Sequence, residues 1–199
     1  MKFTEVFADN FDRANENLNV SANWTWRGLN VAGAGLKVLS NKCTTITNAS
    51  PNEGMYVGDL GPNHYVQCRM IVATGEPGIW IRSTKESTVD YGYFMRWYKG
   101  TGLFYLFRVT DAAWPGTWTS LGSVAYALTS TEYVRLSCFG DDFTLAIDGV
   151  DLYTWTDSVN VAGYAGIAVD YQADYIDDFS CGTVEYSRTW SPFPFPRLS

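Results

Sequence analysis

Residues 132–170 read EYVRLSCFGDDFTLAIDGVDLYTWTDSVNVAGYAGIAVD, and the order of residue types in this run decides the fold. In its first part Val134, Leu136 and Cys138 alternate with Tyr133, Arg135 and Ser137. Successive side chains of a strand point to opposite faces, so this period of two predicts one apolar and one polar face. Phe143, Leu145 and Ile147 repeat the pattern as a second inward set. Asp148-Gly149 then supplies two residues that tolerate positive φ, which a tight hairpin turn requires. The chain returns through Val150 to Trp155, turns at Thr156-Asp157-Ser158, and enters Gly163-Tyr164-Ala165-Gly166-Ile167-Ala168-Val169. Strand, hairpin, turn and Gly-rich strand make an antiparallel meander.

The same rhythm extends through the chain. Residues 64–72 place Val66, Cys68, Met70 and Val72 inward, and residues 3–9 read as a first strand with Phe3, Glu5 and Phe7 on one side. A polar loop over 10–23 follows that strand, and two aromatic strands, 91–99 and 103–109, flank Gly100-Thr101-Gly102. Helical periodicity is almost absent, while β-branched and aromatic residues recur between Gly, Asn and Asp turns, so the class is all-β. At 199 residues, 46% hydrophobic and 16% aromatic, the chain is large enough for one well-filled sandwich. No linker interrupts residues 1–182, which read as a single domain. Residues 183–199 differ: Trp190-Ser191-Pro192-Phe193-Pro194-Phe195-Pro196-Arg197 alternates Pro with Phe and predicts an extended, polyproline-like arm.

A net charge of −7 argues against a nucleic-acid partner, since phosphate binding needs clustered Lys and Arg. No apolar run reaches the roughly 18 residues of a membrane span. The N-terminal segment Met1-Lys2-Phe3-Thr4-Glu5-Val6 lacks the apolar core of a secretion signal. The expectation is therefore a protein released by lysis to a virion surface, or otherwise cytoplasmic. Cys43, Cys68, Cys138 and Cys181 are widely spaced, and with His64 as the one histidine they make no zinc pattern. They read as reduced, structural thiols, and His64 as a surface residue.

The run LAIDGVDLYTWTDSVNVAGYAGIAV (145–169) resembles the late strands of concanavalin-A-like (laminin-G-like) jelly-roll domains. FADNFDRANENLNVSANWTW (7–26) is similar to the first strand and loop of that group, and YIDDFS (175–180) to its closing strand. The resemblance implies an antiparallel jelly-roll β-sandwich with the extended C-terminal arm as an addition. Such domains serve as lectins, glycosidases, adhesion modules and phage virion proteins, so fold alone does not fix activity.

Three sets of residues are candidates for function. Arginines seldom enter a core unpaired, so Arg82, Arg96 and Arg108 are taken to orient their strands outward. Their face then carries Trp80, Phe94, Tyr98, Phe104 and Leu106. In the resembling lectins one sheet face holds ligand, and rings stack on sugars while guanidinium groups fork hydrogen bonds. Trp80, Arg82, Phe94, Arg96, Tyr98 and Arg108 form this candidate glycan- or protein-binding surface. The competing reading is that the loop Trp114-Pro115-Gly116-Thr117-Trp118 seals it. Trp190, Phe193, Phe195 and Arg197 are the candidate partner-binding set, on an arm that either folds over its own domain or docks on a neighbouring subunit. Asp9, Asp177 and Asp178 are candidate ligands for a structural Ca²⁺, with capping or pairing to Arg13 as the alternative.

The paired carboxylates of a glycosidase strand are not recognisable, and His64 has no placeable nucleophile partner, so catalysis is not expected. The sequence points to a non-catalytic virion surface protein, in capsid decoration or a tail or fibre. It would assemble with itself as a homo-oligomer or with other virion proteins, and could take host glycans. The alternatives are a freestanding lectin-like carbohydrate-binding domain and, behind it, a polysaccharide-degrading enzyme.

Overall fold

The computed structural model describes residues 1–27, 35–47, 52–73, 75–84, 90–111, 117–159 and 163–186. Among these residues there is no α-helix. The strands are β1 (Lys2–Asp9), β2 (Glu16–Asn17), β3 (Trp24–Arg27), β4 (Leu36–Val38), β5 (Cys43–Thr45), β6 (Glu53–Tyr56), β7 (His64–Ile71) and β8 (Gly78–Ser83). They continue as β9 (Asp90–Tyr98), β10 (Leu103–Asp111), β11 (Trp118–Ala125), β12 (Tyr133–Phe139), β13 (Asp142–Ile147), β14 (Val150–Thr156), β15 (Tyr164–Ala168) and β16 (Tyr175–Glu185). One sheet runs β14-β13-β12-β7-β16-β5-β4-β2, with β1 also paired to β16; the other runs β11-β10-β9-β8-β15-β6-β3. Every pairing is antiparallel, and the non-sequential strand order is that of a jelly-roll sandwich.

The alternating runs become the inner faces. From the first sheet come Val66, Cys68, Met70, Val134, Leu136, Cys138, Phe143, Leu145 and Ile147. From the second come Ile79, Ile81, Tyr93, Met95, Trp97, Phe104 and Leu106. The hairpin between β13 and β14 turns at Asp148 (φ 48°) and Gly149 (φ 80°), the two positive angles that match strand twist. Ile147 and Val150 close it as facing residues.

Three local expectations give way. A register shift between Glu5 and Phe7 reverses the phase of β1 midway. Phe3 lies edge-on to Tyr65, while Phe7 packs with the core beside Trp24 and Phe179. The 10–23 segment is not merely polar: Phe11 and Leu18 in it are fully buried. Asp9 makes this possible, because its Oδ1 accepts the Phe11 N–H at 2.8 Å while Phe11 takes a φ of 54°. Finally, β16 runs past residue 182 to Glu185, and residues 183–185 pair with residues 2–4. Among the described residues no helix is long and apolar enough to cross a membrane.

Candidate functional site

The seven-stranded sheet carries a second apolar cluster on the side away from the core. It comprises Met55, Trp80, Phe94, Val109 and Ala168, with Trp118 and Tyr164 packed against it. Register explains why these residues meet. Facing residues of an antiparallel pair point to the same side. Gly166 faces Met55 and Trp80, Trp80 faces Phe94, and Phe94 faces Phe107. The next rungs bring Gly78, Arg96 and Tyr105 together, and pair Tyr98 with Leu103. Glycine at 78 is required here, because a Cβ would run into the Phe94 ring.

A continuous line of rings crosses this face. Tyr98 and Tyr105 have centroids 5.1 Å apart, Tyr105 and Phe107 5.8 Å, Phe107 and Trp118 5.6 Å, and Trp118 and Phe94 5.5 Å. Trp80 stacks on Phe94 at 4.7 Å and lies edge-on to Trp118 at 6.1 Å. Trp118 helps to close over Trp80 and Phe94, which are 0% and 3% exposed. Tyr98, Tyr105, Phe107 and Trp118 keep part of their surface in solvent. The centre of this face is packed, and the rings toward β10 and β11 are partly accessible.

Arg96 sits among those rings, its guanidinium 5.3 Å from the Tyr98 centroid and 6.0 Å from that of Phe94. One terminal nitrogen pairs with the buried Asp170 carboxylate and, at 2.8 Å, with Glu76. Its Nε also donates to the Glu76 carbonyl at 3.2 Å. Two carboxylates therefore converge on a single cation. Burial pushes the neighbouring Tyr98 phenol up from its ordinary pKa.

The other two arginines do not share this face, which corrects the expectation that all three point outward. Arg108 faces Tyr93, a core residue, and its guanidinium meets Asp157 at 2.6 Å. The Tyr93 hydroxyl donates to the same carboxylate at 2.9 Å. An inward arginine at the rim is tolerated because a carboxylate waits for it. Reading β10 from Arg108 inverted that strand: Phe104 and Leu106 lie in the core, while Tyr105 and Phe107 face out. Arg82, 2% exposed, adopts a φ of 49° where β8 and β15 slip register. Its guanidinium reaches the Pro62 carbonyl at 2.8 Å and the Gly140 carbonyl, and lies over Phe143. Of the six expected ligand residues, Trp80, Phe94, Arg96 and Tyr98 come together, and Arg82 and Arg108 do not. Tyr105, Phe107 and Trp118 were missed, although the alternation of β10 read from Phe104 inward would have shown the first two.

His64 is fully buried, not at the surface. Its Nε2 lies 3.1 Å from the Arg82 backbone N–H, a group that can only donate. Nε2 must therefore accept, and Nδ1 carries the proton that it donates to the Gly61 carbonyl at 2.7 Å. Burial lowers its pKa to about 4. The four cysteines are free and buried. Burial raises all four thiols, Cys181 to about 12.

The acidic set is met by guanidinium groups. Asp9 accepts from Arg13 at 2.5 Å and from the Trp24 indole at 2.8 Å. Arg69 bridges Asp177 at 2.8 Å and Asp178 at 2.7 Å. Burial outweighs that cation and raises the Asp177 pKa. Among the described residues no group of three or more His, Cys, Asp or Glu side chains is arranged to hold a metal ion. The arm residues Trp190, Phe193, Phe195 and Arg197 lie outside the described residues, as does Trp114 of the loop expected to cover the face.

In sequence the chain matches no protein-family model and no curated protein. In structure it is similar to the carbohydrate-binding module CBM66 from Bacillus subtilis, with a TM-score of 0.65 and 14% identity over 81% of this chain and 96% of that one. A B. subtilis protein of unknown function with a galectin-like fold gives a TM-score of 0.66 and 10% identity over 92% and 98%. A β-1,3-1,4-glucanase (lichenase) from a mouse hindgut metagenome gives 0.59 and 14% over 89% and 99%. The fold is that of the concanavalin-A-like jelly rolls, as the sequence resemblance implied.

Proposed function

We propose that this chain is a non-catalytic carbohydrate-binding module whose ligand lies on the outer face of the seven-stranded sheet. The observation that carries the reading is the line Tyr98, Tyr105, Phe107 and Trp118, four partly exposed rings in mutual contact on one sheet face. Exposed contiguous aromatic surface marks a binding site. Flat rings suit the C–H faces of sugars, and Arg96 stands among them as a hydrogen-bond donor. The carbohydrate-binding module among the fold neighbours makes a sugar the first ligand class to test. The lichenase shows that the fold also hosts catalysis, but the carboxylates beside the row, Glu76 and Asp170, are drawn together onto Arg96.

The virion reading, drawn from the sequence, gains no support from the structures named above. A panel of immobilised polysaccharides tests the carbohydrate reading. The folded chain should be retained by at least one polymer, and Phe107→Ala or Trp118→Ala should weaken retention about fivefold or more. Retention by no glycan would overturn it.

A further inference from the structure

Resting on that reading, we infer that the ligand is an uncharged polysaccharide laid lengthwise along the ring line, and that glycans bearing uronate or sulfate groups are excluded. The charge balance of the site supports this. Arg96 is the cation set among the rings, and it already serves two carboxylates, Asp170 and Glu76. One positive against two negative groups leaves the trio with a net negative charge. Arg108, whose strand crosses the same region, turns its charge inward to Asp157. Arg82 spends its guanidinium on the Pro62 and Gly140 carbonyls inside the protein. The exposed Lys99, beside Tyr98, donates to the Ala73 carbonyl at the end of the row. Among the described residues, an acidic sugar on the ring line would therefore meet a net negative trio and arginines already paired within the protein, in a chain of net charge −7. Repulsion of this kind discriminates between ligands as effectively as attraction does.

The length of the line carries the second half of the inference. The rings run from Tyr98 on β9 through Tyr105 and Phe107 on β10 to Trp118 on β11, with neighbouring centroids 5.1–5.8 Å apart. A single sugar can cover one or two of these rings. A chain covers them all, so affinity should grow with the number of consecutive residues bound.

Affinity electrophoresis of the full chain in gels containing β-glucan, mannan, fructan, alginate, pectate or heparin tests the proposal, followed by titration calorimetry with oligomers of the retarding polymer. Expected are retardation by an uncharged polymer, little change between about 0.05 and 0.5 M salt, and none by the three acidic polymers. Affinity should rise about fivefold or more from dimer to tetramer. Tyr105→Ala should abolish that rise; Tyr98→Ala serves as a second variant should the first unfold. Salt-sensitive binding of an acidic polymer, or equal affinity for dimer and tetramer, would overturn this inference and leave carbohydrate binding standing. Binding of none of the six would overturn both.

Discussion

His64 on β7 and Arg82 on β8 join the two sheets of the sandwich through one hydrogen bond, the Arg82 main-chain N–H donating to His64 Nε2 at 3.1 Å. The bond exists because Arg82 leaves the regular β8–β15 ladder at a φ of 49°, freeing its N–H to turn toward the other sheet. A residue other than glycine with positive φ carries strain of order 1–3 kcal/mol. The imidazole, the Arg82 guanidinium and the carbonyls of Pro62 and Gly140 hold it in place.

Acid should act on this junction first. In the unfolded chain His64 takes up a proton near 6.5, whereas in the folded chain it resists until about 4. Between those values the unfolded state binds more protons, so stability falls as pH drops through that window. Above it the ring is neutral in both states and adds no slope. The full loss is about 3 kcal/mol. Urea unfolding at intervals between pH 7 and pH 4 should show this slope in the wild type. His64→Gln, which keeps an acceptor toward Arg82, should be less stable at pH 7 yet lose less on acidification. Parallel pH profiles for the two proteins would contradict the account.

Thiol chemistry gives an independent check of the core. Cys43, Cys68, Cys138 and Cys181 are each 0% exposed, and burial raises their pKa values. Thiolate is the reactive form, so the folded protein should be inert to a disulfide reagent at pH 8. All four thiols should titrate once denaturant is added. Rapid labelling without denaturant would place at least one of them elsewhere.

How far the sequence could be read depended on what oriented each strand. Cys68, Val134 and Leu145 fell in runs where apolar and polar residues alternate, and each lies inward as the period predicts. Strands β9 and β10 are apolar on both faces, so alternation gave no phase, and arginine was used in its place. That device works for Arg96 and fails for Arg108 and Arg82, because each inward arginine finds acceptors donated by distant segments: Asp157 for one, Pro62 and Gly140 for the other. Partners so remote in the chain leave no local signature. The bulges behind Phe7 and Arg82 are equally silent, since each depends on register with another strand. The strands were therefore legible from local pattern, the jelly-roll class from the family resemblance, and the binding face only in part.

Calcium should not stabilise this protein. A cation held at a hundred times its Kd would contribute about 2.7 kcal/mol and raise Tm by about 5–10 °C. Asp9 is committed to Arg13 and Trp24, and Asp177 and Asp178 share Arg69. Displacing those guanidinium groups would strand them beside the metal. Thermal unfolding in millimolar calcium and in chelator should give superimposable curves. A calcium-dependent rise of several degrees would mean that these arginines move aside and oxygens from elsewhere join the site.

Trp80 and Arg96, both in the candidate binding set, should also carry much of the stability of this face. Trp80 is fully buried and stacked on Phe94, so Trp80→Ala should cost about 3–5 kcal/mol. Arg96→Ala removes the cation from Asp170, a carboxylate only 4% exposed, and leaves a buried charge unpaired at a cost of about 3 kcal/mol or more. Against the 5–15 kcal/mol that holds a domain together, either change should lower Tm by many degrees. Combining Arg96→Met with Asp170→Asn should recover part of the second loss, because both members of the pair then become neutral. Tyr105→Ala, made on a ring still partly in solvent, should leave the unfolding curve nearly in place. Equal losses for Tyr105 and Trp80 would mean that the whole ring line is internal packing, and no ligand would then be needed to explain it.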